Sequence, residues 1–299
     1  MYAAPPVIQT EVFARVPDKL RVKTNPRLQS GIPRDSFLEG PSFDRAGNLY
    51  VVNIPYGQIF RISPQGDFTV VAEYDGEPNG LKIHKDGRIF IADHKQGLLL
   101  LDPASGKVTA LVDRPRHERF KGLNDLVFAK NGDCYFTDQG ESDMRDPSGR
   151  LYRLRADGKL ELIVERIPSP NGLVLTPNEE ILYLAVTRGN AIWRVPLFPD
   201  GGTGRVGIFV QMSGGTGPDG MAMDEAGNLA VCHVGLGSVW LFSKVGRPVA
   251  ELRSATGVAI TNIAYGGPDR RSVFITESET GTILTATLEV PGKLMYSHQ

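Results

Sequence analysis

One local pattern recurs six times along the chain at an average spacing of about 45 residues, the period of a four-stranded propeller blade. Each copy opens on a polar residue, often followed by glycine, then runs through an apolar stretch, a tight turn and a second apolar stretch. The copies span residues 39–53, 79–93, 124–138, 171–186, 219–233 and 262–277. Within them Leu49 and Val51, or Ile89 and Ile91, alternate with neighbours on two faces, which is strand periodicity rather than helical. The turns carry Ala46-Gly47-Asn48, Asp86-Gly87, Asn131-Gly132, Pro177-Asn178 and Ala226-Gly227-Asn228, residues that supply the positive φ of tight hairpins. Third strands follow, as in QIFRIS, GLLLLD and GRLYRL, and fourth strands in FTVVAEY, VTALVD and LELIVER. The pattern predicts an all-β, six-bladed β-propeller in a single domain over residues 1–299. The last unit has only three strands, so the N-terminal VIQTEVFARV is expected to complete it and cover its edge.

Composition agrees: 34 glycines and 21 prolines among 299 residues demand frequent turns. Lys+Arg 33 against Asp+Glu 34 leaves a net charge of -1, which gives no general attraction to nucleic acid or to anionic lipid. A small-molecule partner is expected instead. Cys134 and Cys232 are far apart and lack the CxxC spacing of a zinc or redox site, so they read as small buried hydrophobes. No run approaches the length of a membrane span and the first residues lack the pattern of a secretory signal, so the expected location is cytoplasmic.

In a propeller the innermost strands line a central axis, so equivalent positions form rings. The first residues of the copies, Glu39, Asn79, Asn124, Asn171, Asp219 and Asn262, form one ring at a channel mouth. The last residues, Asn53, Asp93, Asp138, Val186, His233 and Glu277, form a second ring at the same end. Six converging amides and carboxylates are costly to desolvate without a partner. A hard divalent cation suits them: Ca²⁺ takes oxygen ligands, the first ring has no sulfur or imidazole, and Glu39 with Asp219 balances its charge. Zinc would prefer His or Cys.

The stretches FLEGPSFD, KGLNDLVF, PNGLVL and GPDGMAMD, in this order, resemble the senescence-marker-protein/gluconolactonase/luciferin-regenerating-enzyme family and the related diisopropyl-fluorophosphatase, from about residue 36 to 290. The resemblance implies a propeller hydrolase with one catalytic Ca²⁺, other divalent cations being possible. It implies Glu39, Asn124, Asn171 and Asp219 as metal ligands. A lactone is the implied substrate, its carbonyl oxygen polarised by the metal. Asp219 is expected to act as general base on water, with direct attack by its carboxylate as the competing role. Substrate contacts are expected from Asn79, Asp138, Glu141, His233 and Asn262. A phosphotriesterase using the same metal and Asp219, and a non-catalytic binding propeller, are the alternatives; the related strictosidine-synthase-like propellers are a fourth possibility, against which the intact Glu39, Asn124, Asn171 and Asp219 set argues for metal-dependent hydrolysis.

One departure stands out. The sugar-lactone branch of the family commonly carries an arginine two residues before the third-copy Asn, where this chain has Gly122. With Phe120, Leu123, Tyr56 and Met144 expected at the lip, a less hydroxylated or aromatic lactone becomes credible. Arg114, Arg116, His117, Arg119 and Lys121 form a cationic run expected to enter the mouth, where it could attract a carboxylated substrate. His84, His94, His117 and His298 have no positional argument comparable to that of His233.

Overall fold

The computed structural model describes residues 4–22, 35–199 and 201–299. Six antiparallel sheets form the blades, in which strands follow one another outward from the axis. The innermost strands are Leu38–Phe43, Pro78–Ile83, Leu123–Phe128, Pro170–Leu175, Gly217–Met223 and Ile260–Gly266 for blades 1 to 6. Among the described residues no helix is long and apolar enough to cross a membrane.

The hairpin after each innermost strand uses the left-handed backbone conformation its sequence allows. Gly47, Gly87, Gly132 and Gly227 have φ between 82° and 92°. Blade 4 differs from expectation, because the positive φ falls on Glu179 (59°) rather than on Pro177-Asn178.

The apolar faces of neighbouring blades pack against each other, so the core divides into six clusters, one for each inter-blade space. Between blades 2 and 3, for example, Phe90, Leu98, Phe120, Leu126, Phe136 and Tyr152 close on one another. Sheet-on-sheet burial of this kind needs both faces of a strand to be apolar or small, which is why the second strands, LYVVN, IFIAD and ILYLAV among them, read as nearly continuous hydrophobic runs.

Closure is more elaborate than one added strand. Glu11–Arg15 pairs antiparallel with Thr282–Thr287 and completes blade 6. Val7–Gln9, however, pairs parallel with Pro248–Arg253 and adds a fifth strand to blade 5. The N-terminal segment therefore straddles the seam between two blades. Thr10, between the two short strands, is buried and donates through Oγ1 to the Arg253 carbonyl at 2.9 Å.

The far end of the channel is plugged by the C-terminal residues 291–299, which touch every blade. Gly292 N donates to Arg270 O (2.7 Å), Lys293 N to Met223 O (2.8 Å) and Lys293 Nζ to Leu175 O (3.1 Å). Tyr296 stacks on Phe128 and meets His84 edge-on, while Ser297 Oγ donates to Phe43 O. This leaves the opposite end of the channel open.

Candidate active site

Six irregularities bring the first ring to the axis. Each innermost strand breaks register with its neighbour at the ring position: at Glu39/Ser42, Pro78/Gly80, Leu123/Leu126, Pro170/Leu173, Pro218/Met221 and Ile260/Asn262. A bulge re-aims a side chain and ends regular pairing, and here it turns the ring residue out of the sheet plane. The glycines that follow the ring residues answer to crowding among blades. A Cβ on Gly40 would stand 2.7 Å from Leu81 N, one on Gly80 2.6 Å from Asn124 O, and one on Gly172 2.5 Å from Asp219 O. Adjacent inner strands converge so closely that no side chain fits between them.

Blade 3 has Asp125 where four other blades have that glycine, and its carboxylate enters the centre of the ring. Glu39, Asp125 and Asp219 are all buried there. Glu39 Oε2 accepts from Gly40 N (2.7 Å) and from Asn262 Nδ2 (2.8 Å), and Asn262 Nδ2 also reaches Asp125 Oδ2 at 3.3 Å. The nearest ammonium, on Lys82, lies 3.8 Å from Asp125 Oδ1. Burial, then repulsion from Asp125, pushes the Glu39 carboxyl up to about 8. Burial, then the charges of Glu39 and Asp125, push Asp219 well above the usual carboxylate range, against a hydrogen bond from Asn171.

Three carboxylates facing one lysine make a site short of positive charge. The neighbouring amides are themselves hydrogen-bonded. Asn124 Nδ2 donates to Gln139 Oε1 (2.9 Å), whose Nε2 in turn donates to Ser169 Oγ (2.8 Å). Asn171 donates to Asp219. With their N–H groups engaged, both amides are left with carbonyl oxygens to offer. Two carboxylates and two amide oxygens are hard donors suited to calcium. Among the described residues no group of three or more His, Cys, Asp or Glu side chains is disposed to hold a metal, so any ion here must draw on these amides.

Outside the ring opens a polar cavity of about 600 Å³ lined by loops of blades 1 to 4. Asn79 and Glu141 line it, together with Glu77, His94, Gln139 and Arg188. The other expected substrate contacts lie elsewhere. Asn262 sits below, holding Glu39 and Asp125. Asp138 is fully buried and accepts from Gly122 N at 2.9 Å, and burial raises its pKa. His233 is buried under the 212–216 loop with Nε2 at 2.9 Å from Gly214 O, and burial lowers its pKa.

Asp93 and Glu277 of the second ring have the same task. Asp93 accepts from Tyr74 OH, Glu77 N, Lys95 N and Gln96 N, and Glu277 from Glu279 N and Thr280 N. These residues fasten loop backbones that would otherwise be unsatisfied.

The expected apolar lip is absent from the cavity wall. Phe120 and Leu123 are buried in the core between blades 2 and 3, Met144 is exposed, and Tyr56 bonds to Val22 O. The cationic run also misses the mouth: Arg114 pairs with Asp113 at 2.6 Å, and Arg116 and His117 line a separate cavity beside Arg150 and Tyr152.

The SMP-30/Gluconolactonase/LRE-like region matches residues 37–279, which takes in all six blades. The chain belongs to this family. Among SMP-30/gluconolactonase/LRE-like relatives, lactonase drp35 of Staphylococcus aureus (strain MRSA252) is 31% identical over 227 residues, covering 72% of this chain and 69% of that protein. Gluconolactonase of Zymomonas mobilis is 30% identical over 261 residues, covering 76% and 72%. The calcium-binding protein regucalcin of Agrobacterium tumefaciens superposes with a TM-score of 0.79 at 23% identity, over 99% of this chain and 100% of that one. A luciferin-regenerating enzyme does so with 0.79 at 18%, over 88% and 95%. At these identities the structural neighbours establish the six-bladed family fold alone.

Proposed function

We propose that the protein is a calcium-dependent lactonase, a hydrolase that opens a cyclic ester. The observation that carries this reading is the buried set of Glu39, Asn124, Asn171 and Asp219 at the axis, joined through the Asn124–Gln139 hydrogen bond to the wall of a polar cavity of about 600 Å³. Membership of a family that includes a lactonase and a gluconolactonase at 30–31% identity supports the reaction class. Those four residues would hold the ion, and Asn262 and Asp125 would brace the set from below. When bound, calcium supplies a Lewis acid for the lactone carbonyl oxygen and stabilises charge that develops there.

Asp219 acts as general base. One of its carboxylate oxygens takes a proton from the attacking water as the new C–O bond forms. The ring C–O bond then breaks, and the departing alkoxide takes that proton back from Asp219. Asn79, Glu141 and Arg188 surround the rest of the substrate. The wall is rich in hydrogen-bonding groups and holds acidic Glu77, Glu141 and Asp143 beside Arg188, so a neutral hydroxylated lactone suits it better than an aromatic one. The two buried free thiols, Cys134 and Cys232, accord with a reducing, cytoplasmic setting.

The test is a panel of γ- and δ-lactones assayed with diisopropyl-type organophosphates alongside, across a calcium titration. Calcium-dependent lactone opening is the expected result. Turnover of the phosphotriesters alone would move the chemistry to phosphorus. Failure of calcium to bind and of every ester to react would leave a metal-free binding propeller.

A further inference from the structure

We propose that His94 is a specificity-determining residue of this site, one that binds a hydroxyl of the lactone and fills the space a side chain at position 122 would occupy. The proposal rests on the lactonase reading and extends it to the substrate-binding wall.

The placement follows from Gly122. Its φ of 150° lies in a region that favours glycine. A Cβ built there would fall 2.5 Å from His94 Nδ1 and 2.7 Å from Nε2, with Cε1 closer still. The imidazole thus lies directly over the glycine, in the volume that any larger residue at 122 would need.

Neither backbone can step aside. Gly122 N donates to Asp138 Oδ1, and its carbonyl accepts from Gln139 N (2.9 Å) and Gly140 N (3.0 Å). His94 N donates to Glu77 O at 2.8 Å, and Asp93 before it is fastened by four hydrogen bonds. The loop-fastening role of Asp93 and Asp138 therefore has a second consequence, which is to hold one imidazole against one glycine.

The ring itself is left available. His94 is half-buried, lines the cavity beside Glu77, Asn79 and Gln139, and its nitrogens make no hydrogen bond to the described residues. The wall it shares also carries Glu77, Asn79, Gln139, Glu141 and Arg188. An imidazole that can donate from one nitrogen and accept at the other matches a neutral hydroxyl. It is less suited to a carboxylate, which the acidic wall already disfavours.

The experiment compares D-glucono-δ-lactone with unsubstituted δ-valerolactone in wild type, His94→Ala, His94→Gln and Gly122→Ala, with thermal melts to verify folding. The expected result is a loss of about tenfold in kcat/KM for the hydroxylated lactone in His94→Ala, carried mainly by KM, as one hydrogen bond removed. Valerolactone should change less than twofold. Gln, which keeps a donor and an acceptor, should recover part of the loss, and Gly122→Ala should reproduce it by displacing the ring. Equal losses on both lactones, or none on either, would overturn the assignment and leave the lactonase reading standing. If wild type opened neither lactone, that reading would fall by itself. The assignment would then be decided by titrating 1,5-anhydro-D-glucitol while following the imidazole resonances missing from His94→Ala. A saturable shift supports it, and no shift overturns it.

Discussion

Removing divalent cations should make the protein lose stability as pH rises from about 6.5 to about 8.5, and calcium should abolish that loss. Glu39 drives the effect. Its carboxyl is held up at about 8 in the metal-free fold against an ordinary 4.5, first by burial and then by Asp125. Between those two values the folded chain binds more protons than the unfolded one, so stability falls as pH climbs. Stability contributed by the protonated group is fully present below about 4.5 and is gone once pH passes about 8. This is the reverse of an ion-paired carboxylate.

His233 and His298 are lowered by burial and weaken the fold on the acid side of their ordinary 6.5. Readings above that pH isolate the carboxylates. There the Glu39 contribution amounts to about 2 kcal/mol, or roughly 4 °C in Tm for a chain of this size. Asp219 acts in the same direction. Melts followed by circular dichroism in chelator, with and without calcium, give the slope. Glu39→Gln, which cannot ionise, should flatten it. A metal-free Tm that is level or rises over this range, or one that Glu39→Gln leaves unchanged, would refute the crowding of carboxylates on which the metal assignment is argued.

Further consequences can be checked separately. Asp219→Asn should lower lactone turnover by about 10³-fold while raising the metal-free Tm at pH 8, because it removes a buried charge; activity and melts on one preparation decide both. Gly220→Ala would put a Cβ 2.6 Å from Asn262 Cα and closer still to its Oδ1, so it should cost about 2 kcal/mol or more in urea unfolding and weaken calcium binding by calorimetry. Gly87→Ala meets nothing within 4 Å and suffers only its φ of 91°, so about 1 kcal/mol and unaltered calcium affinity are expected. Tyr296→Ala should destabilise by about 3 kcal/mol, since the ring is buried against Phe128 and His84 at the plugged end, and should leave KM unchanged because the active cavity lies at the other.

The architecture was legible in the chain because a propeller repeats one hairpin, and the turns at Gly47, Gly87, Gly132 and Gly227 announce it. The first ring was legible for the same reason. Its equivalent residues begin equivalent strands, and the bulges then aim them inward. Asp125 was hidden because it stands where other copies carry glycine, and its meaning depends on which residue the crowded axis admits. The second ring misled in the opposite way. Asp93, Asp138 and His233 recur at one offset because each of their blades has a loop to fasten there, a repeated structural need that mimics a repeated chemical one.

His94 left no signal at all, since its partner Gly122 lies in the next blade and only the folded backbone brings the two together. Phe120 and Leu123 flank the Gly122 turn but face the space between blades, so nearness in sequence misplaced them at the lip. The fifth strand of blade 5 follows from Thr10, which turns the chain from one blade edge to the next, and short segments of three residues carry too little periodicity to reveal that exchange.

Glu39, Asn124, Asn171 and Asp219 are proposed to hold the calcium on which lactone opening depends. The direct measurement is hydrolysis of D-glucono-δ-lactone by chelator-treated protein as calcium is restored, in wild type and in Glu39→Gln. Negligible opening without calcium, saturable recovery with one ion per chain, and a right-shifted or lost response in Glu39→Gln are expected. Full activity in chelator, or identical calcium curves for the two proteins, would contradict it.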